Sequence, residues 1–285
     1  MGLYLRPQTV EEAVAALAAH APAVLAGGTD FYPARVGRAP DDDVLDITAI
    51  DGLRGIDDDG DYWRIGATTT WRDIIDAPLP PLLDGLKLAA REIGGAQIQN
   101  AGTVAGNLCN ASPAADGVPA LLALDAQVIL QSATAARVLP LAKFIIGNRR
   151  TALRAGEIMT AILVPKRSPR AVSDFLKLGA RRYLVISIAM VAGVMDVDDD
   201  GRITSAAIAV GACAAVAQRL PALEKALRGR QADGALQDVV AGPQFAPLQP
   251  IDDVRGSAAY RLAAAATLTR RLLATLSRKA AGLHA

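Results

Sequence analysis

The sequence predicts an α+β chain in two parts, a two-lobed N-terminal domain followed by a smaller antiparallel sheet backed by helices. Three observations carry this. The first 55 or so residues alternate strand, helix and strand patterns, as a small β-α-β unit does. The segment Pro165–Arg170 (PKRSPR) interrupts the regular pattern and places a boundary there. After it the long runs DFLKLG and SIAMVAGVMDVDDDGRITSAAIAVGA read as strands, the last two joined through an Asp-Asp-Gly hairpin turn at Asp199–Gly201. The expected division is 1–165, with lobes of about 1–55 and 56–165, and 171–280; two domains suit a chain of 285 residues.

The elements follow in order. Thr9 and Glu12 have capping-box spacing, and Val10, Val14 and Leu17 recur at helical intervals, so a helix should run to about His20. Ala23–Ala26 reads as a short buried strand entering a Gly-Gly turn, and Val44–Thr48 as a second strand. Tyr62–Trp71 gives a strand, a turn and the start of a short helix. Leu82, Leu83, Leu86, Ala90 and Ile93 mark one helical face, closed by Gly94–Gly95. Gln97–Asp116 is too dense in Gly, Asn, Thr, Ser and Pro for a regular element and reads as a long irregular loop, a feature that is usually functional. Gln127–Leu130 and Glu157–Pro165 are further strands. Helical patterns recur around Leu220–Leu227, Gly234–Val240 and Ser257–Lys279. The acidic runs Asp41–Asp43, Asp57–Asp59 and Asp198–Asp200 read as solvated turns.

Composition excludes several classes. Thirty basic and 29 acidic residues leave a formal net charge of +1, which exerts no long-range pull on nucleic acid or an anionic membrane. Cys109 and Cys213 lie far apart without a CxxC pairing, so neither a disulfide framework nor a cysteine-ligated metal centre is expected. With only His20 and His284, a His-based metal site or a Ser–His–Asp triad has almost no material. The apolar run Leu184–Met195 is too short to span a bilayer, and MGLYLRPQTVEEA lacks the apolar stretch of a signal peptide. A cytoplasmic protein is therefore expected, with export on a signal-bearing partner left open. The sequence has no GxGxxG after its first strand and no GxxxxGK[ST], which disfavours a Rossmann site and excludes a P-loop.

Two glycine-containing turns remain. In Gly27-Gly28-Thr29-Asp30 the chain leaves a strand through two residues without side chains, so successive backbone N–H groups can approach an anion. Thr103-Val104-Ala105-Gly106-Asn107 repeats the ingredients: a hydroxyl, small residues, a glycine and an amide. Two such turns meeting from opposite sides could hold a pyrophosphate through neutral hydrogen bonds.

The ordered set AGGTD, IGAT, GGAQIQNAGTVAGNLCNASPAADGVPALLAL, GEIMTAILVP and FLKLGARRYLVISIAMVAGVM resembles the FAD-binding medium subunit of the xanthine dehydrogenase, carbon monoxide dehydrogenase and 4-hydroxybenzoyl-CoA reductase family, from about Tyr4 to Leu276. The resemblance implies a two-lobed FAD domain of the vanillyl-alcohol-oxidase/PCMH type. It further implies an electron-transfer subunit that takes electrons from a small subunit carrying [2Fe–2S] clusters, beside a large molybdenum-cofactor subunit. Electrons would leave to NAD or another acceptor, and the assembly would be a heterotrimer paired into a dimer of heterotrimers.

Carried over by position, the pattern assigns cofactor contacts to Leu25, Ala26, Gly27, Gly28, Thr29, Asp30 and Phe31, and to Thr103, Val104, Ala105, Gly106, Asn107 and Cys109. It sets Ile93 against the adenine, Asp116 near the ribityl or flavin end, and Met159 and Lys177 beside the flavin. Ala105 stands where the family often has glycine, which would cost about 1 kcal/mol if φ there were positive. The cysteine-rich insertion of some 4-hydroxybenzoyl-CoA reductases is absent. Plainer readings stand beside these. Asp116 could cap a helix, Lys177 could be a surface lysine, Arg181–Arg182 could meet a neighbouring subunit or close a hairpin, and Cys109, Trp63 and Trp71 could be packing residues. A stand-alone flavin oxidoreductase and a scaffold that has lost FAD are the competing functions.

Overall fold

The computed structural model describes residues 2–37 and 41–282, so His284 lies outside the described residues. The first lobe is a parallel sheet of three short strands, β1 (Tyr4–Leu5), β2 (Ala23–Leu25) and β3 (Val44–Asp46), in the order β1-β3-β2. Helix α1 (Val10–His20) makes the crossover and buries Ala13, Val14 and Leu17 against Leu45, Ile47 and Leu53. Its start is the one the spacing predicts, with one change. Thr9 accepts from the Glu12 N–H at 3.1 Å, but Glu12 reaches back to the Gln8 N–H at 2.8 Å rather than to Thr9.

The second lobe is an antiparallel sheet in the order β4-β5-β10-β6-β7. Its strands are β4 (Ile56–Asp59), β5 (Tyr62–Gly66), β6 (Gln127–Gln131), β7 (Ala136–Pro140) and, after a minor hairpin of β8 (Ile145–Gly147) and β9 (Arg150–Thr151), β10 (Ile158–Pro165). Asp57–Asp59 is therefore not a turn. It forms an edge strand whose exposed carboxylates blunt an otherwise open row of backbone groups. Between β5 and β6 lie α2 (Trp71–Asp76), α3 (Asp84–Glu92), α4 (Ala96–Ala101), α5 (Val104–Asn110) and α6 (Gly117–Ala123); α7 (Leu141–Phe144) follows β7.

The stretch read as a loop, Gln97–Asp116, thus holds most of two helices. Each is under two turns, too short to show a 3.6-residue period and too short to persist alone. Tertiary bonds hold them: Trp71 N–H donates to Gly102 O at 3.1 Å and Val104 N–H to Thr69 O at 2.9 Å, on either side of the α4–α5 junction.

The remaining sheet is antiparallel, β11 (Val172–Leu178), β12 (Ala189–Val197), β13 (Ile203–Gly211) and β14 (Gln218–Arg219), in that order. The Asp198–Gly201 turn joins β12 to β13, and Gly201 has φ +73°. Helix α8 (Pro221–Leu227), a 3-10 turn at Gly234–Val239 and the long α9 (Ala258–Gly282) complete the chain. Strand β12 is buried on both faces. Ala189, Val191 and Met195 pack towards α9, while Met190, Ala192 and Val194 pack towards the core that holds α3 and α6. A strand with two covered faces needs no polar alternation, which accounts for its continuous apolar run. Gly85 lets α3 lie directly on β11: its N–H donates to Ser173 Oγ at 2.7 Å, and a Cβ there would sit 3.0 Å from Asp174 O.

Leu272, fully buried on α9, faces this sheet. Leu272→Ala should cost about 2–5 kcal/mol through lost transfer energy and a residual cavity. The midpoint of denaturant unfolding, followed by circular dichroism, measures it.

Candidate functional site

The first turn leaves β2 at Leu25, whose side chain is buried in the protein interior. At Gly27 the backbone passes so close to Ala101 and Gly102 that an added Cβ would overlap the Ala101 carbonyl oxygen. Gly28 follows with φ +71°, a left-handed conformation in which a side chain is strained, and a Cβ there would meet the Tyr32 ring at 2.8 Å. From Gly27 to Phe31 the backbone N–H groups donate to no acceptor among the described residues, although Gly28 O and Asp30 O receive Tyr32 and Ala34. Five consecutive donors with open valence form a concavity suited to an anion.

The second turn is built differently from the sequence expectation. Thr103 is the N-cap of α5 and accepts from Gly106 N–H at 3.0 Å, while Asn107 N–H returns to Thr103 O. Most donors of this turn are therefore spent inside the fold. Ala105 lies within α5 and does not have positive φ, so the alanine costs nothing of the kind a left-handed position would impose. What this side offers is Asn107: its Oδ1 is buried and has no hydrogen-bond partner among the described residues. A buried amide oxygen without a partner costs free energy, and a ligand or water at the site removes that cost.

The two turns enclose a cavity of about 410 Å³ lined by Ala26, Gly27, Gly28, Thr29, Asp30 and Phe31 from one side. Ile93, Thr103, Ala105, Gly106, Asn107, Cys109 and Met159 line it from the other. A second cavity of about 440 Å³ shares Asp30, Ile93, Asn107, Asn110 and Arg149 with the first and continues to Asp116 and the segment Leu184–Ile186. Together they make an elongated trough. Leu25 and Val104 belong to the interior, and neither these nor Lys177 lines either cavity.

Lys177 instead lies behind the wall as part of a buried pair. Its Nζ is 2.7 Å from Asp116 Oδ2 and donates to Glu92 O at 3.2 Å; the side chains are 6% and 9% exposed. The other Asp116 oxygen accepts from Ser187 Oγ at 2.5 Å. Asp116 occupies the N-cap position of α6 but its side chain caps nothing, and Lys177 is no surface lysine. Burial pushes the Asp116 carboxyl above the usual carboxylate range, while Lys177 and Ser187 pull it back. Burial likewise pushes the Cys109 thiol up to about 12, so it is a neutral packing group in the wall. Trp71 is fully buried and its ring touches the space above Gly117.

Sequence reasoning missed Arg149 and Asn110. Arg149 joins the two cavities, donates its guanidinium to Asn110 Oδ1 and has φ +52°. The two are 39 residues apart, and no local pattern marks the pair. No group of three or more His, Cys, Asp or Glu suited to a metal occurs among the described residues.

An extended trough, a row of open backbone donors, glycines whose Cβ would fill the wall and an unpartnered buried amide fit a dinucleotide carrying a pyrophosphate. The comparisons agree. Residues 1–167 match the family described as FAD binding domain in molybdopterin dehydrogenase, and residues 174–276 the CO dehydrogenase flavoprotein C-terminal domain. The chain belongs to the FAD-binding medium subunits of the xanthine and carbon monoxide dehydrogenase type, and its cofactor is FAD.

It is 36% identical to the nicotinate dehydrogenase FAD-subunit of Eubacterium barkeri over 73% of each chain. To the nicotine 6-hydroxylase medium subunit of Paenarthrobacter nicotinovorans it is 31% identical over 95% of each. Among solved structures, carbon monoxide dehydrogenase from Hydrogenophaga pseudoflava superposes with a TM-score of 0.86 at 30% identity, covering 98% of both chains.

The geometry ranks the glycines. Gly27→Ala places a methyl against backbone that cannot yield and should abolish FAD retention. Gly28→Val should do the same through strain and the Tyr32 contact. Gly106→Ala meets only Thr103 Oγ1, at 2.7 Å, and should lose the least. The ratio of flavin to protein absorbance in purified chains reads out the order; full occupancy in Gly27→Ala and Gly28→Val would remove the first turn from the site.

Proposed function

We propose that this chain collects electrons within a molybdenum hydroxylase complex and delivers them to an external acceptor such as NAD. The partners in this reading are a large molybdenum-cofactor subunit and a small [2Fe–2S] subunit, in a dimer of heterotrimers. The observation that carries it is the pair of turns enclosing one trough, in a protein whose relatives are subunits of nicotinate, nicotine and carbon monoxide oxidoreductases. Two free thiols support a cytoplasmic setting.

In this reading the open N–H row Gly27–Phe31 receives the FAD pyrophosphate, and Asn107 turns its buried amide to the cofactor. Ile93 lies against the adenine, with Asp116 and Met159 nearer the ribityl and flavin end. FAD supplies the ability to accept electrons singly and release them in pairs. The protein's own contribution is position and field. Among the described residues, no histidine lines the cavity wall. Glu157, which does reach the wall, is held by Arg137 at 2.7 and 2.8 Å and by Arg154 N–H, which depress its pKa and commit it as an ion pair.

Lys177 and Asp116 set the local field as a neutral pair. Lys177→Met leaves a buried carboxylate without its counter-ion, a change that typically costs about 3–5 kcal/mol. With Asp116 ionised at high pH, the unpaired negative charge should lower the flavin potential. At lower pH, as Asp116 takes up a proton, the potential should return towards that of the parent. Lys177→Met with Asp116→Asn should restore both potential and stability. Redox titration of the variant and the parent across pH tests this, and a potential difference between Lys177→Met and the parent that does not change with pH would exclude the assigned field.

The electron route has its own test. Removing FAD from the purified complex should leave bleaching of the iron–sulfur absorption by substrate intact and stop reduction of the acceptor. Unimpaired acceptor reduction would assign electron exit elsewhere, and substrate turnover by this chain alone would make it a stand-alone oxidoreductase.

A further inference from the structure

Arg261, on the first turn of α9, has a guanidinium that is 4% exposed. Its Nη1 donates to Ile188 O at 2.6 Å and to Ala212 O at 3.1 Å, and its Nη2 to Asp253 Oδ1 at 2.6 Å. Its Nε is buried without a partner among the described residues. Anchoring a helix does not call for this. A well-packed apolar side chain would hold α9 to the sheet without burying a cation or orphaning a donor. What the planar fork adds is a fixed distance between two backbone carbonyls.

Each of those carbonyls belongs to a segment tied closely to residues that line the second cavity. Ile188 follows Ser187, whose hydroxyl donates to Asp116, and Leu184, Val185 and Ile186 just before it line the trough. Ala212 donates its own N–H to Pro113 O at 3.1 Å, and Ala114 and Ala115, which follow Pro113, line the same cavity. Ala212 has φ +61°, a conformation that an alanine keeps only where its surroundings hold it. The same guanidinium therefore binds two segments, through Ile188 and Ala212, that each lead to residues lining the second cavity.

We infer that Arg261, oriented by Asp253, is a positioning residue that sets the spacing of the flavin-side walls of the cofactor trough; this rests on the FAD reading above. It touches no cofactor and acts through Ile188, Ala212 and the residues they hold. The fork is the active feature, since a lysine carries the charge but cannot hold two carbonyls and a carboxylate in one plane.

The test uses the full-length chain titrated with FAD, comparing Arg261→Lys, Asp253→Asn and Leu272→Ala. Leu272→Ala lowers stability from the same helix by loss of packing alone. Arg261→Lys should weaken FAD binding about tenfold, the scale on which losing an outer orienting partner acts. It should also alter the visible circular dichroism of the bound flavin. Asp253→Asn, which keeps the guanidinium on both carbonyls, should shift both readouts the same way by less. Leu272→Ala should lower the thermal midpoint and leave both unchanged.

Parent-like affinity and dichroism in Arg261→Lys would overturn the inference, as would equal changes in Leu272→Ala. If Arg261→Lys does not fold, Asp253→Asn decides by the same criteria. Failure of the FAD reading looks different, because the parent chain would then bind no FAD at all.

Discussion

The close passage of Gly27 over the Ala101–Gly102 backbone is the contact on which the site depends. It is where the small parallel lobe meets the helices of the larger one, and there is no room in it for a single carbon atom. Around it the fold arranges its polar groups unequally. The strand-to-turn side leaves its N–H groups open, while the helical side uses most of its donors at home, through the Thr103 cap and the bonds to Thr69 and Thr103 O. A site with donors on one wall and an unpartnered amide on the other is asymmetric, and that asymmetry orients a ligand with one anionic segment.

The rest of the architecture holds that contact in place. The C-terminal sheet lies between α9 and the layer formed by α3 and α6, and β12 is covered on both sides. Polar ties cross from this sheet to the cofactor-binding part at buried points: Lys177 to Asp116, Ser187 to Asp116, and Ser173 to Gly85. Nearer the surface, Arg219 reaches Asp125 at 2.6 Å and Leu122 O at 3.2 Å. Buried, hydrogen-bonded ion pairs add little net stability over apolar packing, but breaking one is costly. They therefore fix relative position more than they add strength. A bound flavin is sensitive to that kind of support, because its potential follows the charges and dipoles around it.

The competing readings of single residues divide along a physical line. Asp116 and Lys177 looked ordinary one at a time, as a possible cap and a possible surface residue. Their separation of 61 residues hides the pair that removes both alternatives. Cys109 shows the reverse, since its expected packing role agrees with a half-buried thiol set in the cavity wall. The Gln97–Asp116 stretch was legible as special but not as helical. Helices of six and seven residues carry too little periodicity, and their stability comes from bonds to Thr69 and Trp71 that sequence spacing cannot display.

By itself the sequence determined the α+β class, the strands of long apolar run, the long C-terminal helix and the two glycine turns. Each of these is set by local pattern or by a backbone conformation that only certain residues adopt. It also fixes the supply of two histidines and two cysteines, which folding does not change. Only the tertiary structure decided that the two turns face one trough, that the donors of the first are open while those of the second are spent, and that Lys177 stands behind the wall. It also decided that Arg149 joins the cavities and that Arg261 binds the carbonyls of Ile188 and Ala212 at once. These are relations between residues tens of positions apart, and they depend on distances that exist only once the chain has packed.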